Sequence, residues 1–589
     1  MLRSSEEQYN ILSSFASWLK ISPMKLQFKS ITRKADSDKH IAMIRKELSM
    51  EDNAQCKAMG EDYIRLIKDV GSREALTRRF FLIYQYEAIG RSESDDYSKI
   101  YSMLVSVEQN ARAYFMQCGN NIIQPKNPDQ AVAEILYMFF NRRSCVDEPF
   151  TDRVNRVIID TMAAKGKIIG VDPIPHISVR HFIAPRGLDL SHYNYIVMDG
   201  RYYCFLYIKG NGYPSTVRGG WMSSLINAGE GIDIDVHLSR ENRSKTIDKV
   251  AQRIRLNRTK LKGMQDTSTD YEELTNSIQA GYYIKNGIAN HNEDLFYMSV
   301  FVTISAKTYD ELLWRKQQMT DMLKSMDMYL SDCRFQQEDA LRSVMPFLQI
   351  SPKLQKKTQR NVLTSGAAST YMFTSFEMSD DSGVLLGVNR HNNSLCIVDL
   401  FNTKINKNAN LTMCGTSGAG KTFTLQLLAL RMRMRGIQCY IIAPIKGHEF
   451  KRACSKIGGE FIKIAPGSPH CINVMEIRRV DRSVNELLDG PGIQLSELAA
   501  KIQQLHIFFS LLIPDMSHEE RQLLDEALVR TYNTKGITHD NASLEDPAKP
   551  GQYREMPVLG DLYEILKTSK ETIRMAHILN RLVNGSAST

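Results

Sequence analysis

No apolar run in this chain is long enough to cross a bilayer. The longest, around Ala131–Phe140 and Leu505–Ile513, are interrupted and fall short of the roughly 20 residues a spanning helix needs. Nor does the N-terminus carry a signal-peptide centre, since Arg3, Glu6 and Glu7 precede no apolar segment. C-x-x-C pairs are missing, and the ten cysteines, scattered from Cys56 to Cys471, form no cysteine–histidine cluster at metal spacing. Reduced thiols in a cytosolic compartment are the simplest reading. Triplets such as Asn242-Arg243-Ser244 then carry no glycosylation meaning. Internal repeats are lacking too. The net charge of +9 over 589 residues is a mild excess. It permits contact with nucleic acid or anionic lipid and argues for neither.

What the chain does have is room and ordinary composition. Hydrophobic residues make up 43% and charged residues 24%, as in soluble globular proteins, and the length suffices for several domains. The pattern alternates strands and helices. A helix over 4–20 turns Ile11, Leu12, Phe15 and Leu19 inward, and Met24–Lys29 alternates apolar with polar like a half-buried strand. A long helix over 38–69 follows, then a strand over 79–86 and helices over 96–118 and 129–142. Asp199-Gly200 predicts a hairpin turn between Tyr195–Met198 and Tyr202–Ile208. Two helices, 241–261 and 268–289, come after a strand at 232–238. The first is basic, from Arg240 to Lys262; with no aromatics interleaved, it reads as a solvated face rather than a nucleic-acid surface. Strand 295–305 and helix 309–328 repeat the unit. Pro352–Arg360 reads as an exposed linker, with a domain boundary near residue 380.

The stretch with chemistry in it is Gly415-Thr416-Ser417-Gly418-Ala419-Gly420-Lys421-Thr422, which fits G-x-x-x-x-G-K-[ST]. Glycines let the backbone wrap tightly, so that successive N–H groups point at a polyphosphate held at a helix N-terminus. Lys421 would reach the β- and γ-phosphates of ATP, and the Thr422 hydroxyl would take one Mg²⁺ position. The expected setting is a buried strand over 410–414 and a helix over 422–435, with Leu425, Leu428, Ala429 and Met432 on one face. Arg431, Arg433 and Arg435 fall in the last turns, where cations suit the helix dipole. Beyond Gly436, strands are expected at 438–443 and 460–464, and helices at about 495–513, 518–532, 558–567 and 570–583.

The run Leu411–Ile477 resembles the conjugal-transfer ATPases of type IV secretion systems, the TraC, TrbE and TraE group. The resemblance rests on the P-loop together with Cys439–Phe450, Gly458-Gly459-Glu460-Phe461 and Pro466–Asn473, with Phe80–Glu87 as a looser match. It implies an α+β N-terminal region over 1–380 that docks on the secretion channel. A partial RecA-like α/β P-loop NTPase domain would follow over 381–589, with a helical insertion at about 493–585. It also implies ATP and Mg²⁺ as cofactors and a hexamer at full length. Channel subunits at the inner face of the cytoplasmic membrane would be the partners, with DNA contact at most indirect. The location implied is cytoplasmic and peripheral to that membrane.

Two departures from the family pattern stand out. Where relatives carry an acidic Asp-Pro-Glu-type motif, this chain has Ala443-Pro444-Ile445; the nearest carboxylate, Glu449, is read either as a catalytic residue or as an acid placed for a helix dipole. Nor does any stretch after Gly436 read as an apolar strand ending in Asp, the carboxylate that hydrolysis needs. The chain is therefore expected to be truncated at its C-terminus; the resemblance, to a family that begins with additional strands, implies truncation at its N-terminus as well. Three functional readings follow: the fragment of a conjugative-transfer motor, a DNA-pumping coupling ATPase of the FtsK/HerA/TraD kind, or a nucleotide-binding chain that does not hydrolyse. The large α+β region and the lack of membrane helices favour the first for the parent protein.

Overall fold

The computed structural model describes residues 4–34, 37–73, 75–86, 97–164, 178–262, 269–375, 377–380, 382–444, 447–465, 468, 470, 472–478, 496–548 and 552–585. They divide into two compact units, Met1–Cys439 and Tyr440–Thr589, so residues 381–439 lie in the first. The fold is mixed α and β. Among the described residues no helix is long and apolar enough to cross a membrane.

The first unit is built on one antiparallel sheet. Its strands are β1 (Lys25–Lys34), β2 (Leu76–Tyr84), β3 (Leu188–Asp189), β4 (Ile196–Met198), β5 (Arg201–Ile208), β6 (Ile232–Arg240), β7 (Leu295–Ala306), β8 (Leu330–Asp332) and β9 (Arg360–Leu363). The order is β2-β1-β6-β7-β5-β4-β3, with β8 added beside β5 and β9 beside β7. At the β4–β5 turn Asp199 and Gly200 have φ of 51° and 69°, the pair of positive values that matches hairpin twist. The Asp199 carboxylate accepts from the backbone N–H of Arg143 and Ser144 at 2.9 and 2.7 Å, tying the turn to the neighbouring helix.

Period-two alternation explains the two faces of the sheet, because successive side chains point to opposite sides. Ile232, Ile234, Val236 and Leu238 of β6 join Leu26, Phe28, Val300, Val302 and Ile304 on the larger apolar face. Helix Ser5–Ile21 covers it through Ile11, Phe15, Trp18 and Leu19, and helix Tyr309–Lys324 through Leu312, Met319 and Leu323. Phe15 meets Trp18, Phe28, Phe115 and Tyr371 with ring centroids 5.3–6.1 Å apart.

The opposite face is buried as well, yet it carries charge. Lys29 on β1 pairs with Asp235 on β6 at 2.7 Å, and both are almost wholly enclosed. Gln27 donates to the other Asp235 oxygen at 2.9 Å, and Lys29 also donates to the Val344 carbonyl at 2.9 Å. Arg142 holds Asp233. Burial pushes the Asp235 carboxyl up to about 6 against the pull of Lys29, and pushes the His237 imidazole down to about 4. Such groups survive burial only because each finds partners.

Several expectations are met and others are corrected. The single helix over 38–69 is two, Asp38–Ser49 and Ala54–Arg73. The break falls where the Asn53 side chain caps the second, accepting from Gln55 N at 2.9 Å and Cys56 N at 3.2 Å. Pro352–Arg360 is not an exposed linker. Pro352–Thr358 is a helix whose Leu354 is fully buried, and Arg360 begins β9, which pairs with β7. Near the end of the first unit, β10 (Val384–Val388) and β11 (Leu395–Val398) form an antiparallel pair.

The second unit has a helical core. Helices Glu497–Leu512, His518–Thr534, Leu559–Leu566 and Ile573–Val583 pack Phe509, Leu528, Leu562 and Leu579 together, close to the four segments read from the sequence. Ser517 and Glu520 form a capping box at the second of these helices, and Arg574 pairs with Glu520 at 2.8 Å. Tyr532 donates to the Met475 carbonyl at 2.5 Å, anchoring the preceding segment.

Candidate nucleotide-phosphate site

The expected P-loop residues lie at the N-terminus of helix Lys421–Met434. Gly418 and Gly420 adopt φ of 77° and 86°, a region that side-chain-bearing residues avoid, and a Cβ at either would meet no neighbour. Backbone conformation, not crowding, therefore requires these two glycines. Gly420 is the N-cap and supplies no side chain to cap the helix. The first-turn amides of Lys421, Thr422 and Phe423 thus have no acceptor within the helix. Ala419 N donates to the Thr416 carbonyl at 3.3 Å, which tightens the loop. Lys421 Nζ folds back over it, donating to the carbonyls of Gly415 at 2.8 Å and Thr416 at 2.7 Å.

The strands expected around this loop do not form among the described residues. Residues 410–414, 438–443 and 460–464 have no ladder partner, and Leu411, Tyr440, Ile441, Ile442, Ile462 and Ile464 are exposed. No parallel sheet buries them, so the alternating apolar pattern finds no partner strand. The helix is shifted by one residue from its expected start, and its buried face is Leu428, Arg431 and Met434; Leu425 and Phe423 are exposed.

The choice of buried face has a physical cause at the C-terminal end of the helix. Its C-terminal half docks on helices Asp38–Ser49 and Ala54–Arg73 and on β10, in a cluster with Ile44, Leu48, Ile64, Ile67 and Leu385. Arg431 donates to the Leu385 carbonyl and lies over the Tyr63 ring, 5.3 Å from its centroid. Tyr63 in turn accepts from Leu385 N at 2.8 Å. Arg433 pairs with Glu51, and Arg435 meets both Glu47 oxygens at 3.1 Å. The hydrogen bond from Arg433 is the main cause holding the Glu51 carboxyl below its ordinary range. Sequence reasoning missed Glu47, Glu51 and Tyr63. The three arginines read only as cations suited to the helix dipole, and no local signal names their partners.

Glu449 lies in a 3₁₀ turn, Gly447–Phe450, within the second unit, whereas Lys421 and Thr422 belong to the first. Pro466, Gly467, Pro469 and Cys471 lie outside the described residues. Among the described residues no cluster of His, Cys, Asp and Glu is arranged to hold a metal. A polar cavity of about 470 Å³ lies elsewhere, between β6 and the segment 339–359, lined by His237, Ser299, Arg342 and Gln355.

Fold and loop together define a class only broadly: a mixed α and β protein with a glycine-rich loop at a helix N-terminus. Among solved structures, the chain is similar to VirB4 of Thermoanaerobacter pseudethanolicus, at 31% identity over 36% of this chain and 54% of that one, with a TM-score of 0.30. It thus spans about half the length of that protein. No family model matches the chain, and no curated protein matches it.

Proposed function

We propose that Gly415–Thr422 holds the phosphates of ATP, and that the chain is the nucleotide-binding part of an ATPase serving a type IV secretion or conjugative-transfer apparatus. The observation that carries the first half is the uncapped helix N-terminus behind Gly418 and Gly420, whose backbone turns only glycine adopts freely. The residues fit the group. Orphan amides at Lys421, Thr422 and Phe423 suit an anion, and the Lys421 ammonium has a third N–H left after its two loop carbonyls. Thr422 would supply a hydroxyl to Mg²⁺, which neutralises phosphate charge when bound.

The second half rests on the residues that follow the loop, Cys439–Phe450 and Gly458–Phe461, and their resemblance to conjugal-transfer ATPases. Under that reading the channel subunits are partners, the site of action is the cytoplasmic face of the membrane, and the working form is a hexamer. A RecA-like domain belongs to the same proposal; it would require 410–414 and 438–443 to pair into a sheet, which they do not do among the described residues.

Titration of the chain with a fluorescent ATP analogue and Mg²⁺ tests the site. Lys421→Ala removes a charge-assisted contact worth about 1.5–3 kcal/mol, so affinity should fall about tenfold or more. Equal binding by the two proteins would refute the assignment.

A further inference from the structure

The nucleotide reading leaves the basic segment after β6 without a role. Helix Arg243–Leu261 turns Thr246 and Ile254 inward and packs on helix Thr269–Asn290. Gly281 sits against Ile254, and Asn257 donates to Ser277 Oγ at 2.9 Å. The remaining surface is cationic. Arg243, Lys245, Lys249, Arg253, Arg255, Arg258, Lys260 and Lys262 are all exposed, and Asp248 is the one acid on that helix. Arg243 lies 3.5 Å from Asp294 and Lys249 lies 3.9 Å from Glu241. No carboxylate of a described residue comes within 4.0 Å of the other six.

Spacing makes this more than a charge excess. Lys245, Lys249 and Arg253 follow one another at i, i+4 and i+8, about 6 Å apart along the axis, and Lys260 continues the row. Arg255, Arg258 and Lys262 line the other flank. There the second helix supplies what the basic stretch itself lacks, an aromatic ring. The Arg258 guanidinium lies 5.2 Å from the centroid of Tyr282, and Tyr282 and Tyr283 are 40% and 67% exposed.

We infer that this helical hairpin is a surface for single-stranded nucleic acid, with phosphates along the lysine and arginine rows and bases against Tyr282 and Tyr283. Evenly repeated cations beside exposed rings match a polymer of repeated anions carrying stackable bases. A bilayer surface fits less well. A helix lying in the interface needs an apolar face for the acyl chains, and here that face is used by the partner helix, leaving Leu256 as the helix's one exposed large apolar side chain.

The test is fluorescence anisotropy of the whole chain with a labelled oligo-thymidylate, read across a salt series. Binding should weaken steeply with salt, with a logarithmic slope of about −0.7 per phosphate contacted. Combined Lys249→Glu, Arg253→Glu and Lys260→Glu should lower affinity about tenfold or more and flatten that slope. Tyr282→Ala with Tyr283→Ala should weaken binding about tenfold while leaving the slope unchanged. These side chains are exposed, so circular dichroism should be unaltered; if the triple variant unfolds, the tyrosine pair and the salt slope decide. Lys421→Ala should bind the oligonucleotide like wild type, so this inference and the nucleotide reading fail separately. Absence of binding, equal binding by all variants, or binding to phosphatidylserine vesicles without binding to the oligonucleotide would overturn the proposal.

Discussion

Arg433 and Glu51 meet in a two-pronged ion pair across 382 positions of sequence, with Arg433 Nη2 donating to Glu51 Oε1 at 2.9 Å and Nη1 to the other oxygen. One partner sits near the end of the helix that begins at the P-loop. The other lies in the short break between two helices of the N-terminal region. The pair therefore ties the helix that begins at the loop to the N-terminal helices.

The first prediction concerns that pair. Glu51 is 10% and Arg433 25% exposed at the side chain, so solvent screens the pair only partly. Each of Glu51→Gln and Arg433→Ala should cost about 1–3 kcal/mol, with a coupling of about 1–2 kcal/mol in a double-mutant cycle by urea denaturation. The folded Glu51 carboxyl is held below its ordinary range, so its contribution is present above that range and lost as pH falls through the folded value. The gap between wild type and Glu51→Gln should therefore close in acid. A coupling near zero at neutral pH would show the pair to be incidental.

Most elements of the first unit could be read from alternation and turns, because their partners lie in the same chain and bury the patterned face. Asp199-Gly200 and Ile232–Leu238 are cases in point. The P-loop helix was legible for the same local reason, since Gly420 and Lys421 mark its start. Its anchor was not, because nothing near Arg431, Arg433 or Arg435 in sequence points to Tyr63, Glu51 or Glu47. Strand-like patterns at 410–414 and 438–443 misled, since a strand needs a neighbour and these have none among the described residues. Alternation along the strand puts Asp233, Asp235 and His237 on one face, but nothing in the pattern says that this face is buried.

A second prediction tests that buried layer. Lys29→Met leaves the Asp235 carboxylate enclosed without its cation and should cost about 3–5 kcal/mol. Adding Asp235→Asn should recover most of the loss, since the amide is neutral and its oxygen still accepts from Gln27. Thermal unfolding of the single and double variants measures this. A double variant no more stable than Lys29→Met would mean that packing, not uncompensated charge, sets the cost.

The third concerns turnover. On the proposed reading the loop residues would position phosphate and offer one metal ligand, but in-line attack also needs an oriented water and a charge partner for the transition state. No stretch after Gly436 reads as an apolar strand ending in Asp, and no such strand end is found among the described residues. Missing groups of this kind cost several powers of ten, so phosphate release by this chain should sit near background and match Lys421→Ala. Robust release abolished by Lys421→Ala would expose an overlooked carboxylate. Glu449→Gln would be the first variant to examine.

The last prediction is a pH dependence centred on His237. Its Nε2 lies 3.0 Å from the Ser343 carbonyl, which accepts a hydrogen bond from the N–H of the neutral ring, while burial and nearby Lys29 oppose a charged one. The folded imidazole is pushed down to about 4 from an ordinary value near 6.5. A depressed folded value means that the unfolded chain takes up the proton first. His237 thus contributes stability that is complete above about pH 6.5 and lost as pH falls toward about 4, by at most roughly 3 kcal/mol. Asp235 acts in the opposite sense. Its carboxyl is raised to about 6, so its contribution is present below the unfolded carboxyl range and lost as pH rises through 6. The raw stability curve mixes the two, and the informative quantity is the difference between wild type and His237→Gln. Glutamine can still donate to Ser343 but does not titrate. Urea denaturation from pH 7 to pH 4.5 should show wild type losing stability relative to His237→Gln as pH falls. Parallel curves for the two proteins would mean that the folded ring takes up its proton at an ordinary pH, and that its burial is not what the geometry implies.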